Sequence, residues 1–394
     1  MSVSHAVCVP VDASVMMGSA ELADLVALLG KVADPRKRRG IRHHIATVLA
    51  VTVLAVLAGA KNYREAGDRA EDLPQELLEL VGARRSVLSG RRVAPSADTI
   101  RRVVESVDAE AADRLVCHWL ADRAMALAGD DGCAGFDGVA IDGKAVRNSG
   151  GVRLFSAMRH GQAVVISQIR VPDETTETTQ VKSLLTGMDL AGAVVTADAA
   201  HTQRDTARHL VSDKQADYVL AVKGNQPTLL AQVQALLPPA APGSEDHVDD
   251  ERSHGRITRR AIWATVAEGV DFPHAAQVFR IRRDVFNLAG QRVHKEIAYG
   301  VTSLNTERAS ARDIGGLVRG QWGIENKIHW VRDVVFAEDH QHAYTGNGAH
   351  AMAMLRNLAI GLIRLAGLTE IKRTLEWIAA DRMRILPLLA ASTP

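Results

Sequence analysis

The chain has 394 residues, enough for two or three domains with sizeable cores, and its 47% apolar and 24% charged content is that of a soluble globular protein. A formal net charge of +1 excludes a uniformly basic nucleic-acid binder, so any surface for a polyanion must come from local segregation of charge. Three cysteines (Cys8, Cys117, Cys133) without a CxxC pair argue against a disulfide framework and a cysteine zinc site, which fits a reducing cytoplasm.

Residues 1–19 read as a flexible leader without the charged and apolar regions of a secretory signal. From residue 20 to 128 the pattern is helical. Glu21–Val32 places Leu22, Leu25, Leu28 and Leu29 at helical spacing, and Asp34-Pro35 stops that helix. A basic turn (Arg36, Lys37, Arg38, Arg39, Arg42) leads into Ile45–Leu57, too short for a membrane span and read as a buried helix. Pro74–Val81 is a further helix. Ser96 is placed to cap the next one, which carries Arg101 and Arg102, and Ala111–Leu127 follows. A second basic cluster (Arg84, Arg85, Arg91, Arg92) lies between these helices. Such a module suits DNA binding or, equally, helical packing; composition does not separate the two.

After Gly129 the period changes. Val139–Ile141, Arg153–Met158 and Ala163–Val171 read as strands, Glu177–Leu185 as a helix, Ala193–Ala197 as a strand, Asp205–Ser212 as a helix and Tyr218–Val222 as a strand. A helix at Thr228–Leu236 and a loop at Pro238–Glu251 precede alternating strands at Arg256–Thr265, Gln277–Arg283 and Val293–Ser303, which carry a third arginine cluster. Helices return at Ala309–Gln321, Ile324–Val331, Ala349–Ala366 and Ile371–Met383.

Two of the apolar strands run into an aspartate: Val139–Ile141 into Asp142, and Ala193–Ala197 into Asp198. If the strands are neighbours, the two carboxylates meet, and Glu325 on a helix flanked by Trp322 and Trp330 is a candidate third. Hard divalent ions take a few carboxylate oxygens and leave room for substrate phosphates. Two such ions about 3.5–4 Å apart clamp the attacking and leaving oxygens of a phosphoryl displacement. Gly138–Lys144 also fits GxxxxGK, but strand formers fill the loop, an acid would repel phosphate, and Ala145 replaces the hydroxyl. Glu338-Asp339-His340-Gln341-His342 lacks zinc spacing, and its acids are placed to support the main site.

Several stretches together resemble the bacterial insertion-sequence transposases of the DDE type, in the H-repeat-associated branch. They are Ile141–Lys144, Thr196–Ala199 with His201-Thr202-Gln203, Asp217–Gln226, His254-Gly255-Arg256, Trp322–Asn326, His329-Trp330 and Asp333–Asp339, together with Asp34–His43 and Pro95–Arg102. The similarity runs from about residue 20 to 365. It implies an RNase H-like α/β catalytic domain (129–226 and 307–394), interrupted by a β-rich insertion (227–306) between the second Asp and the Glu, and preceded by the all-helical module (20–128). It implies that Asp142, Asp198 and Glu325 are catalytic and hold two Mg²⁺ ions, with Mn²⁺ able to substitute. The implied partner is DNA, both transposon ends and target, with a homodimer in the DNA complex. Relatives often carry Arg four residues before the Glu and Lys seven after; here these are Gln321 and Arg332. Lys144, Lys223, Asn225 and Arg332 near the site, and Arg38, Arg39, Arg101 and Arg102 in the helical module, are the candidate DNA contacts. The alternatives are a domesticated transposase that only binds DNA, and an RNase H-like nuclease without strand transfer.

Overall fold

The computed structural model describes residues 11–127, 135–239, 243–253 and 255–393. Cys8, Cys133 and His254, residues 1–10 of the expected leader and the junction at residues 128–134 lie outside them. The rest of that leader is a correction: the first helix begins at Val11 and runs to Leu29. Gly18 lies so close to the Leu386 carbonyl that no Cβ would fit.

One nine-stranded sheet organises the molecule. Its strands are β1 (Gly138–Ala145), β2 (Arg153–Arg159), β3 (Val164–Val171), β4 (Val194–Ala197), β5 (Asp217–Val222), β6 (His247–Ser253), β7 (Arg256–Val266), β8 (Gln277–Asn287) and β9 (Arg292–Thr302), in the spatial order β3-β2-β1-β4-β5-β9-β8-β7-β6. β1, β2 and β3 form an antiparallel meander, while β4 and β5 run parallel to β1. The inserted strands do not form a separate body. β9 pairs antiparallel with β5 through Val219↔Thr302 to Val222↔Tyr299, so the insertion lengthens the same sheet. β6 is a strand where the sequence suggested loop. It is exposed and acidic, and it pairs Asp250 and Asp249 with Arg259 and Arg260 of β7.

The helical module does not close a core of its own. A single buried cluster runs from Leu22 and Val48 through Ile141 and Phe155 to Leu355 and Leu389. At its centre is the helix Gly348–Leu365, buried along nearly its whole length. The helix Ile45–Leu57, apolar except for Thr47 and Thr52 and buried on all sides, packs against it. Tyr63–Glu71, too polar to stand out as a core helix, and the closing Ile385–Ala391 are additional helices. Buried polar groups stitch the halves together. Asp113 accepts from Gln168 at 2.6 Å and faces His350 at 2.8 Å, while Gln168 accepts from Ser156, Arg332 and Asn357. Paired burial of this kind avoids the penalty of unsatisfied polar atoms.

Candidate metal-dependent catalytic site

The parallel register of β1 and β4 pairs Ile141 with Ala197, so Asp142 and Asp198 leave neighbouring strands at the same level. Beyond Asp142, β1 stays paired with β2 as far as Ala145↔Arg153. Gly138–Lys144 is therefore extended strand, and the phosphate-loop reading is excluded by its backbone. At Asp198 the chain turns into a short helical turn, and the Asp198 carboxylate accepts from the Ala200 N–H at 3.0 Å.

Glu325 arrives on the helix Ala311–Ile324, which is capped by a Ser310–Asp313 box and crosses β1 and β4. Gly320 permits the close approach, because a Cβ there would collide with the His160 ring. Gln321 then fastens the helix to both acid-bearing strands. Its amide donates to the Ile141 carbonyl at 3.0 Å, and its oxygen accepts from Thr196 Oγ1 at 2.7 Å. Gln321, where the resemblance leads one to expect Arg, is thus a clamp. At Glu325 the helix widens into consecutive π-type turns, Glu325–His329 and Val331–Val335, a local irregularity frequent at functional sites.

One donor atom each from Asp142, Glu325 and His329 lies within 4.8 Å of the other two. His329 Nδ1 is 3.0 Å from Glu325 Oε2 and 3.5 Å from Asp142 Oδ2, and the ring is buried. Two further carboxylates act on Asp142. Burial is the main cause that pushes its pKa up to about 7; the charges of Asp198, Glu325 and Glu177 add to this, against the Gly143 N–H. Glu177 sits directly over Gly143, where any Cβ would collide with its carboxylate. Its own pKa is raised, chiefly by burial. Glu325 shifts the other way, held down mainly by its hydrogen bond to His329. Carboxylates whose environments push their pKa values apart mark an acid–base or metal site.

This donor set fits a divalent cation. Asp142 and Glu325 meet with His329, the charges of Asp198 and Glu177 act on Asp142, and none of these acids is salt-bridged to Lys or Arg among the described residues; oxygen-rich sites of that kind suit Mg²⁺ or Mn²⁺. Sequence reasoning missed two members. His329 was legible from its i, i+4 spacing to Glu325. Glu177, an acid in a polar turn, carried no local signal.

The remaining candidates divide by burial. Arg332, proposed as a phosphate contact, is fully buried and paired with Glu338 at 2.8 Å, which also pairs with the buried Arg356 at 2.9 Å. It holds the interior together and is closed to phosphate. Lys144 is also buried, with Nζ 2.6 Å from Asp333 and 3.8 Å from Asp339, so it anchors β1 to the turns after Glu325. Asn225 donates to the Ala199 carbonyl at 2.6 Å and Gln226 to that of Thr202 at 2.9 Å; both fix the turn that follows Asp198. Lys223, Arg38, Arg39, Arg101 and Arg102 are exposed, although Arg101 pairs with Glu105 and Asp98. The third arginine cluster is largely neutralised: Arg259 by Asp250, Arg260 by Glu251, Arg282 by Asp284 and Arg283 by Glu296.

Comparison with known proteins identifies the family. The family model of the transposase DDE domain matches residues 135–362, and the model of its associated N-terminal segment matches residues 26–120. The chain is 29% identical to "Putative transposase YncI" of Escherichia coli O157:H7, covering 87% of this chain and 88% of that one. It is 27% identical to "H repeat-associated putative transposase YhhI" of Escherichia coli K12, covering 94% and 99%. Among solved structures, a piggyBac transposase synaptic complex with hairpin DNA matches at 10% identity and a TM-score of 0.41, covering 95% of this chain and 79% of that one. With a transposase DDE-domain match across more than half its length, this chain belongs to the DDE transposase family.

Proposed function

We propose that the protein binds the ends of an insertion sequence and catalyses metal-dependent DNA strand cleavage and strand transfer. The observation that carries this reading is that Asp142, with Glu325 within 4.8 Å of it, feels the charge of Asp198 from the neighbouring strand, although the three acids are separated by 56 and 127 positions in sequence. In this reading the half-sheet β3-β2-β1-β4-β5 is an RNase H-like core, supported by its meander and two parallel strands with acids on β1 and just beyond β4.

Asp142, Asp198 and Glu325 would hold divalent cations, two Mg²⁺ by family analogy, which when bound lower the pKa of the attacking hydroxyl and stabilise the leaving oxygen. The chain's own groups perform the positioning. Gln321 sets the Glu325 helix against both strands, and Lys144 ties β1 to Asp333. His329 Nδ1, 3.0 Å from Glu325 Oε2, holds the Glu325 carboxylate in place. Such orientation by neighbouring groups determines how well ligands act. Lys223, Arg38, Arg39 and Arg102 are exposed cations suited to the DNA backbone, and a dimer in the DNA complex would hold two ends. Cleavage of a duplex carrying the DNA that flanks the gene, in Mg²⁺ and in chelator, tests this. Metal-independent cleavage, or none with wild-type protein, would overturn it. Cleavage without joining would favour the plain nuclease.

A further inference from the structure

Between the helices Gln75–Leu80 and Ala97–Ser106 the chain forms a small hairpin over residues 84–93. Arg85 and Arg92 bridge its two arms, Ser86 N–H donates to the Arg91 carbonyl at 2.8 Å, and Val93 N–H donates to the Arg84 carbonyl at 2.9 Å. The turn is closed by Gly90 N–H to the Ser86 carbonyl at 2.9 Å, with Gly90 at φ +66°. Arg92 fastens the base: its N–H donates to Gln75 Oε1, and its guanidinium donates to the Ala83 carbonyl and to Glu79. The hairpin is thus held on a rigid base.

Its tip carries Val87 and Leu88, each 100% exposed. Two fully exposed branched apolar residues on a short turn cost solvation and do nothing for the core. Around them Arg84, Arg85 and Arg91 are exposed and form no salt bridge with an acid among the described residues. The charges of Arg84, Arg36 and Arg42, behind burial, help to hold His43 at a pKa of about 4, so the hairpin base adjoins the basic turn of residues 36–42. The hairpin's own exposed arginines thus surround an apolar point, and its base lies beside the basic turn, where Arg36 is paired with Asp34 at 2.7 Å.

We propose that this hairpin is a DNA wedge: Leu88 and Val87 enter a base step from the minor groove while Arg84, Arg85 and Arg91 grip the flanking phosphates. The chemistry fits because minor-groove proteins insert Leu, Ile or similar side chains between base steps, unstack them and kink the duplex by roughly 20–90°. Surrounding cations supply the backbone affinity that offsets unstacking. The proposal rests on the reading of the chain as a DNA-processing transposase and adds a mode of grip to it.

The test uses the full-length protein and an A·T-rich duplex of about four turns, end-labelled for energy transfer, with a fluorescent adenine analogue at a central TA step. Wild-type protein is expected to shorten the end-to-end distance and to raise the analogue's emission. The Val87→Ser/Leu88→Ser double variant is expected to lose both signals while its affinity changes less than ~10-fold. Because both side chains are exposed, its fold should be intact, which the melting temperature checks. Arg84→Ala and Arg91→Ala should each reduce the slope of log affinity against log salt by about one. Equal kinking by the double variant overturns the wedge, as does wild-type binding without a kink; neither touches the proposed function. Altered self-association with the kink retained assigns the tip to a second copy and also overturns it. Absence of any salt-dependent binding by wild-type protein overturns the wedge and the function together.

Discussion

Asp142→Asn is expected to abolish catalysis and, in the absence of metal, to make the protein more stable. The folded carboxyl of Asp142, with a pKa pushed up to about 7, holds its proton well above the ordinary aspartate value of 3.8, where the unfolded chain has released it. Between these values the folded state binds more protons than the unfolded one, so stability falls as pH rises through that window and stays low above it. About three pKa units at 1.36 kcal/mol each set an upper bound of ~4 kcal/mol. The side chain is 26% exposed, and solvent screening brings the expected effect to about 2–3 kcal/mol. At pH 8 in chelator, Asp142→Asn should then melt roughly 2–4 °C above wild type, the shift expected for a chain of this length. The gap should close near pH 4, where wild type is protonated too. Millimolar Mg²⁺ should raise the wild-type melting temperature and leave the variant's almost unmoved. Differential scanning calorimetry reads all three arms. Equal melting of the two proteins at pH 8 in chelator would refute the claim that mutually repelling carboxylates are held together for a cation.

Glu338→Ala removes the anion between two buried guanidiniums, Arg332 and Arg356, and should cost about 3–5 kcal/mol in a urea titration. A loss below ~1 kcal/mol would mean that those arginines find other partners. Gln321→Ala breaks the two hydrogen bonds that fix the Glu325 helix; about 1–3 kcal/mol of stability and a lower cleavage rate should go together. Unchanged cleavage would leave Gln321 a packing residue only. His329→Ala should weaken Mn²⁺ binding by about 10–100-fold, measured by calorimetry, because the Glu325 carboxylate loses its orienting partner. Wild-type affinity would remove His329 from the site.

Elements with a strong period were legible. The helix Ile45–Leu57 appears with the expected bounds, and the strands before Asp142 and Asp198 are where their apolar runs placed them, because burial on both faces leaves a continuous apolar stretch. β6 was not legible: His247–Ser253 is polar and exposed, and only its pairing with arginines of β7 makes it a strand. Charged residues were misread where their partners lie far away in the chain. Nothing local to Lys144 announces Asp333, and phosphate contacts and buried ion pairs use the same side chains. Arg332 has its partner only six positions on, but whether the pair is buried depends on the helix Gly348–Leu365 closing over it. The helical module shares its core with the C-terminal helices for the same reason: apolar stripes do not say which surface they meet.

The central claim is that Asp142, Asp198 and Glu325 form one catalytic metal site. The most direct measurement is strand cleavage of a labelled duplex bearing the DNA that flanks the gene, in Mg²⁺, by wild-type protein and by Asp142→Asn, Asp198→Asn and Glu325→Gln. The account predicts cleavage by wild type and only background from each variant, with folding intact by calorimetry. Cleavage at the wild-type rate by any of the three would contradict it.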